Sequence, residues 1–150
     1  MTPDAMRKTR VLFVCGQNSA RSQMAEALLD HLAGDRFEAH SAGLEPAPVN
    51  PLAVAVMAER GIDISAKRSK LVGEAVAELA ARGETFDAVI TVCSKAAGRC
   101  PFVPGVAVTE RWSFDDPGAM DGPEAERLAR TRAVRDDIEA AIRAWVSGRG

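Results

Sequence analysis

Residues 11–22 read Val11-Leu12-Phe13-Val14-Cys15-Gly16-Gln17-Asn18-Ser19-Ala20-Arg21-Ser22: an apolar run of strand composition, then a cysteine and an arginine separated by five small or polar residues. Met24, Ala27, Leu28 and Leu32 follow at helical spacing, so the loop lies where a buried strand passes into a helix. At such a junction several backbone N–H groups lack partners within the helix, and the helix dipole adds positive potential. Arg21 contributes a planar fork that grips two oxygens of one anion. The same donors favour a thiolate nucleophile over an inert thiol. Cys15 is therefore the candidate nucleophile, and Gly16, Gln17, Asn18, Ser19, Ala20, Arg21 and Ser22 are the candidate binders of a tetrahedral oxyanion. A bare Cys-x5-Arg would equally suit a buried strand-end cysteine and a surface arginine; the strand before it and the helix after it favour the anion loop.

Outward from this stretch, the elements alternate. Strands are expected near residues 9–15, 37–42, 86–93 and 105–110, and helices near 19–33, 50–60, 69–82 and 124–146. Such alternation implies an α/β fold with a parallel sheet covered by helices on both faces. Gly34, Gly61 and Gly83 fall where helices should stop, and Asn50-Pro51 has the form of a cap followed by a first-turn proline. Leu128, Val134, Ile138, Ala141, Ile142 and Trp145 form an apolar stripe that reads as core. Ligands of parallel α/β sheets bind outside the carboxyl ends of the strands, so Cys15 and Cys93, each at such an end, share one rim.

The 150 residues suit one core of ordinary size, with residues 1–150 as a single domain and 1–8 as a flexible tail. A formal net charge of −2 points away from general nucleic-acid affinity, so a small anion must be captured locally. No apolar stretch resembles a signal peptide or a membrane span, and three cysteines is an odd count. A reducing cytoplasm is the expected location, with no membrane association and a monomeric state.

A second thiol pair lies in Cys93-Ser94-Lys95-Ala96-Ala97-Gly98-Arg99-Cys100-Pro101. The small residues would let this segment refold: a short helical turn holds the thiols apart, and its melting lets them reach the roughly 4.4–6.8 Å Cα separation of a disulfide. Lys95 and Arg99 favour thiolates. A pair of buried cysteines and half of a zinc site are the alternatives. The ligand spacing and the supply of imidazoles, His31 and His40, argue against zinc, and no metal site is expected. Further on, Trp112-Ser113-Phe114-Asp115-Asp116-Pro117 places carboxyls in a loop on the same rim. One of them can protonate an oxygen leaving the anion's central atom. Pro117 restricts the backbone of Asp116 and so aims its side chain. An ordinary Asp-Pro turn is the other reading.

With Cys15 to Ser22, Ser41-Ala42-Gly43, Cys93 to Cys100 and Phe114 to Pro117 in view, the chain resembles the thioredoxin-coupled arsenate reductases, from about Val11 to Trp145. These share the fold of the low-molecular-weight protein tyrosine phosphatases, which implies four parallel strands flanked by helices. The phosphatases lack a matching cysteine pair and usually carry tyrosines after their Asp-Pro, whereas this chain has no tyrosine. The resemblance implies Cys15 as the nucleophile toward arsenate, Arg21 and the loop amides as its holders, and Asp116 rather than Asp115 as the acid. It implies Cys93 and then Cys100 as resolving cysteines, with no bound cofactor and with reducing equivalents from thioredoxin or another dithiol. Phosphate is the expected competing oxyanion. Ser22 would hydrogen-bond the Cys15 sulfur and Asn18 would lock the loop. The alternative function is hydrolysis of phosphate monoesters through a Cys15 phosphocysteine, with Cys93 and Cys100 incidental.

The sequence departs from the family pattern at one place. Some of these reductases hold a potassium ion at positions matching Asn18, Glu26 and Ser41, together with a threonine and an aspartate that are Arg68 and Lys70 here. Basic residues there would repel a cation. No potassium site is expected; one reading has Lys70 pair with Glu26 in its place, and the other leaves both basic residues facing solvent.

Overall fold

A computed structural model describes residues 8–16, 18–45, 47–94, 107 and 109–148, with the backbone alone at Cys93, Ser94 and Ala119. The elements are β1 (Thr9–Cys15), α1 (Arg21–Ala33), β2 (Phe37–Gly43), α2 (Pro51–Ala58), α3 (Val72–Ala80), β3 (Ala88–Ser94), β4 (Glu110–Phe114), a 3-10 turn (Pro117–Ala119) and α4 (Glu124–Gly148). The four strands form one sheet in the order β2-β1-β3-β4, with every pairing parallel. Gln17, Cys100 and residues 1–7 lie outside the described residues.

Side chains alternate across β1, and each set has its own core. Val11, Phe13 and Cys15 face α1, α2 and α4, packing with Met24, Leu28, Val56, Ile138 and Ile142. Leu12 and Val14 face α3, packing with Ala42, Val72, Ala75 and Val89. Helices thus cover both faces, as the alternation of elements implies. The α4 stripe is core: Val134, Ile138 and Ile142 are buried, and Leu128, Ala141 and Trp145 pack against them.

The fourth strand differs from expectation. It runs over Glu110–Phe114 rather than 105–110, because its ladder with β3 starts at Ile90 opposite Glu110. Trp112 and Phe114, two apart, supply its packing: Trp112 lies 6.0 Å from the Phe13 ring, and Phe114 is buried. Helix α2 starts at a cap, where Asn50 Oδ1 accepts from Leu52 N–H and Pro51 takes the first turn. Past the ends of α2 and α3, Gly61 and Gly83 adopt φ of 74° and 73°, a left-handed conformation that favours glycine. Among the described residues, no helix is long and apolar enough to cross a membrane.

Candidate active site

Cys15 ends β1, an inner strand flanked on both sides, so its backbone is held on two edges. The chain then turns sharply: Asn18 takes φ of 51°, a left-handed conformation that asparagine tolerates better than most residues. Leu44 and Glu45 N–H both donate to Gly16 C=O, which ties the start of the loop to the end of β2.

Asn18 is fully buried, and both ends of its side chain are hydrogen-bonded. Its amide NH2 donates to Ser22 Oγ at 2.8 Å, and its Oδ1 accepts from Gln23 Nε2 at 3.2 Å and from Lys70 N–H at 3.0 Å. Its backbone carbonyl accepts from Gln23 Nε2 and Ser69 Oγ. Ser69 Oγ also contacts Ala47 C=O, so the 67–70 strap grips both the loop and the chain after β2. This leaves Asn18 N–H for the sulfur, and it donates to Cys15 Sγ at 3.2 Å. Ser22 Oγ lies 2.8 Å from the same sulfur. Since that oxygen already accepts from Asn18, its own proton is free for the sulfur. Two donors therefore meet a buried sulfur.

A small cleft of about 50 Å³ opens beside the sulfur, lined by Cys15, Gly16, Ser19, Ala20, Arg21, Asn50, Asp116 and Gly118. The Arg21 guanidinium is buried, lies 3.5 Å from Asp116 Oδ2, and donates to Phe114 C=O at 3.4 Å. Asp116 Oδ1 accepts from Gly118 N–H at 2.9 Å, so the Asp-Pro turn itself aims the carboxyl inward. Asp115 is exposed and does not line the cleft.

The sequence-predicted loop residues thus separate by role. Gly16, Ser19, Ala20 and Arg21 face the cleft, with the Ser19 hydroxyl turned away onto Pro48 C=O. Asn18 and Ser22 hold the sulfur and the turn. Cys93 lies next to the end of β3, the strand paired with β1, on the same rim. Two cleft-lining or supporting residues carried no ligand signal in sequence: Asn50, whose Asn-Pro pair reads as a helix cap, and Lys67.

Lys67 corrects one expectation. Its ammonium, not that of Lys70, pairs with Glu26, at 2.5 Å from Oε2, while Glu26 Oε1 accepts from Ser41 Oγ at 2.5 Å. The backbone of Lys70 is committed to Asn18, and its side chain leaves on the α3 side to lie 3.5 Å from Glu78. Arg68 pairs with Glu74 and holds that carboxyl below its usual range. Among the described residues, no group of three or more His, Cys, Asp or Glu could hold a metal ion.

Residues 10–148 match the low molecular weight phosphotyrosine protein phosphatase family. The arsenate reductase of Bacillus licheniformis is 41% identical over 138 residues, which cover 92% of this chain and 95% of that protein. A solved arsenate reductase in the phosphate binding state superposes with a TM-score of 0.70 at 30% identity, over 93% of this chain and 98% of that one. The thioredoxin-dependent arsenate reductase of Corynebacterium glutamicum superposes with a TM-score of 0.57 at 29% identity, over 93% of this chain and 64% of that one. On its sequence, its sheet order and the cleft at Cys15, the chain belongs to the low molecular weight phosphotyrosine protein phosphatase family, among its arsenate reductases.

Proposed function

We propose that this protein reduces arsenate to arsenite by a relay of three cysteines, and that thioredoxin reduces the disulfide it forms. The observation that carries the reading is the convergence, on one small cleft, of a sulfur with two donors, the Arg21 guanidinium and the Asp116 carboxyl, with Cys93 on the adjoining strand.

The Cys15 thiolate attacks As(V), forming an As–S bond, and Asp116 gives a proton to the departing oxygen, which leaves as water. Arg21 and the loop amides balance the charge of the remaining oxygens. Cys93 then attacks Cys15 Sγ. A disulfide forms, the S–As bond breaks, and its electron pair stays on arsenic, which leaves as As(III) arsenite. Cys100 attacks Cys93 in turn, so the disulfide moves to Cys93–Cys100 and Cys15 returns as a thiolate. A dithiol such as thioredoxin restores both thiols. Phosphate has the shape and charge of arsenate and competes for the cleft. Monoester hydrolysis needs Cys15, Arg21 and Asp116 alone, and the family match supports it as a side activity.

The test is arsenate-dependent NADPH oxidation through thioredoxin reductase and thioredoxin, with mass mapping of the disulfide. Wild-type protein is expected to turn over and to accumulate Cys93–Cys100 when thioredoxin is withheld. Cys100→Ser should stall after one turnover with Cys15 bonded to Cys93. Full arsenate turnover by Cys93→Ser would overturn the relay.

A further inference from the structure

Asn50 is bound to the catalytic loop and yet keeps one end of its side chain uncommitted. Its backbone N–H donates to Ser19 C=O at 2.8 Å, fixing it against the loop. Its Oδ1 accepts from Leu52 N–H at 2.8 Å, as the cap of α2. The cap settles which way the carboxamide faces, because an N–H needs the oxygen and not the NH2. The NH2 group then has no hydrogen-bond partner among the described residues, and Asn50 lines the cleft that holds Cys15, Arg21 and Asp116.

The cleft needs a donor at its mouth. Its buried lining is Cys15, Ala20 and Arg21, placed to take the inner oxygens of a tetrahedral anion, while Asn50 and Asp116 are half-buried, and an ionised carboxylate can only accept. The outward oxygen has Asn50 and Asp116 around it. We propose that Asn50 is a specificity-determining residue whose NH2 donates to this outward oxygen, so that the cleft prefers a free tetra-oxo anion to one whose outward position carries carbon. An ester oxygen is a poorer acceptor, and a carbon substituent offers nothing to the amide while covering its hydrogens. The role rests on the oxyanion reading of the cleft and extends it to a choice among anions.

The test measures binding and requires no turnover. Isothermal titration calorimetry with inorganic phosphate and with methylphosphonate, which replaces one oxygen by a methyl group, compares wild-type protein with Asn50→Ser. Serine keeps the cap acceptor and removes the amide donor, and a melting curve checks that the fold is retained. Wild-type protein should prefer phosphate, and Asn50→Ser should lose about tenfold of that preference through weaker phosphate binding. Should serine disturb the loop, Asn50→Gln, which restores an NH2 but shifts the cap, should melt lower while keeping more of the preference than serine does. An equal preference for phosphate in wild-type protein and Asn50→Ser overturns the inference. If phosphate binding behaves as expected and arsenate is still not reduced, the Asn50 role stands and the reductase reading falls.

Discussion

Lys67 and Glu26 form the ion pair that closes the rear of the catalytic loop. The ammonium sits 2.5 Å from a carboxylate that is largely buried, and whose second oxygen is held by Ser41 on β2. The pair thus connects the strap, α1 and the sheet. A fixed ammonium in this position leaves a free monovalent cation nothing to neutralise. Arsenate turnover should therefore be the same in potassium and sodium chloride at equal ionic strength, and a several-fold rise in potassium would be evidence of an ion site. Lys67→Met should lower stability in chemical denaturation by about 1–3 kcal/mol, since it leaves a largely buried carboxylate with Ser41 but without its cation. Adding Glu26→Gln to that variant should recover part of the loss.

Asn18 combines a left-handed backbone with the largest hydrogen-bond set in the loop. Alanine in its place loses the amide's bonds, strands the Lys70 N–H, and is strained at positive φ. Asn18→Ala should cost about 2–4 kcal/mol by urea denaturation, and Asn18→Gly should recover the strain but not the bonds.

Ser22 should separate reactivity from folding. Ser22→Ala removes the 2.8 Å contact to Cys15 Sγ and leaves the Asn18 NH2 without its acceptor. At neutral pH, alkylation of Cys15 by iodoacetamide should slow several-fold, while stability falls by only about 1–2 kcal/mol. An unchanged alkylation rate would mean that the serine only fills space.

Asp116→Asn retains an oxygen for Gly118 N–H and so retains the turn. It removes the proposed proton donor. The first chemical step, read in a single turnover with arsenate, should slow by about 10²–10³, while affinity for phosphate is retained, since Arg21 and the loop stay in place.

At the far side of the molecule, Arg132 and then Arg135 hydrogen-bond the Glu59 carboxylate and hold it down at about 2, against an ordinary value of 4.5. A carboxyl lowered on folding stabilises the protein above the unfolded value, and that contribution is lost as pH falls from about 4.5 toward 2. Glu59→Gln should therefore melt lower than wild type at pH 7. The difference should shrink through this acid window.

Much of the fold was legible from periodicity. The strand-loop-helix at residues 9–33 and the α4 stripe are dictated by spacing, because one face of each must be buried. The fourth strand was misplaced because the sequence Val106-Ala107-Val108-Thr109, with two valines and a threonine, has the composition of a strand, whereas the ladder starts only where Trp112 and Phe114 can pack. In the site, Cys15, Arg21 and Asp116 were legible as residue types with a chemical purpose, and the cleft brings them together. The choice of Lys67 over Lys70 was not legible. Several basic residues stand within four positions, and only the commitment of the Lys70 backbone to Asn18 decides which side chain reaches α1. Asn50 was hidden for a related reason: its cap is local, but its place at the cleft depends on how the chain after β2 folds back over the loop.

The alternation of β1 places a constraint on how this protein can change. Phe13 and Cys15 belong to one core, and Leu12 and Val14 to the other. A single-residue insertion or deletion within the strand would turn the sulfur to the α3 side and exchange the contents of both cores at once. Residues of β1 can exchange for others of like size within either core, but the parity of Cys15 along the strand cannot change. Length changes in relatives of this chain should therefore accumulate in the loops beyond β2 and β3 and leave the strand that ends in Cys15 untouched.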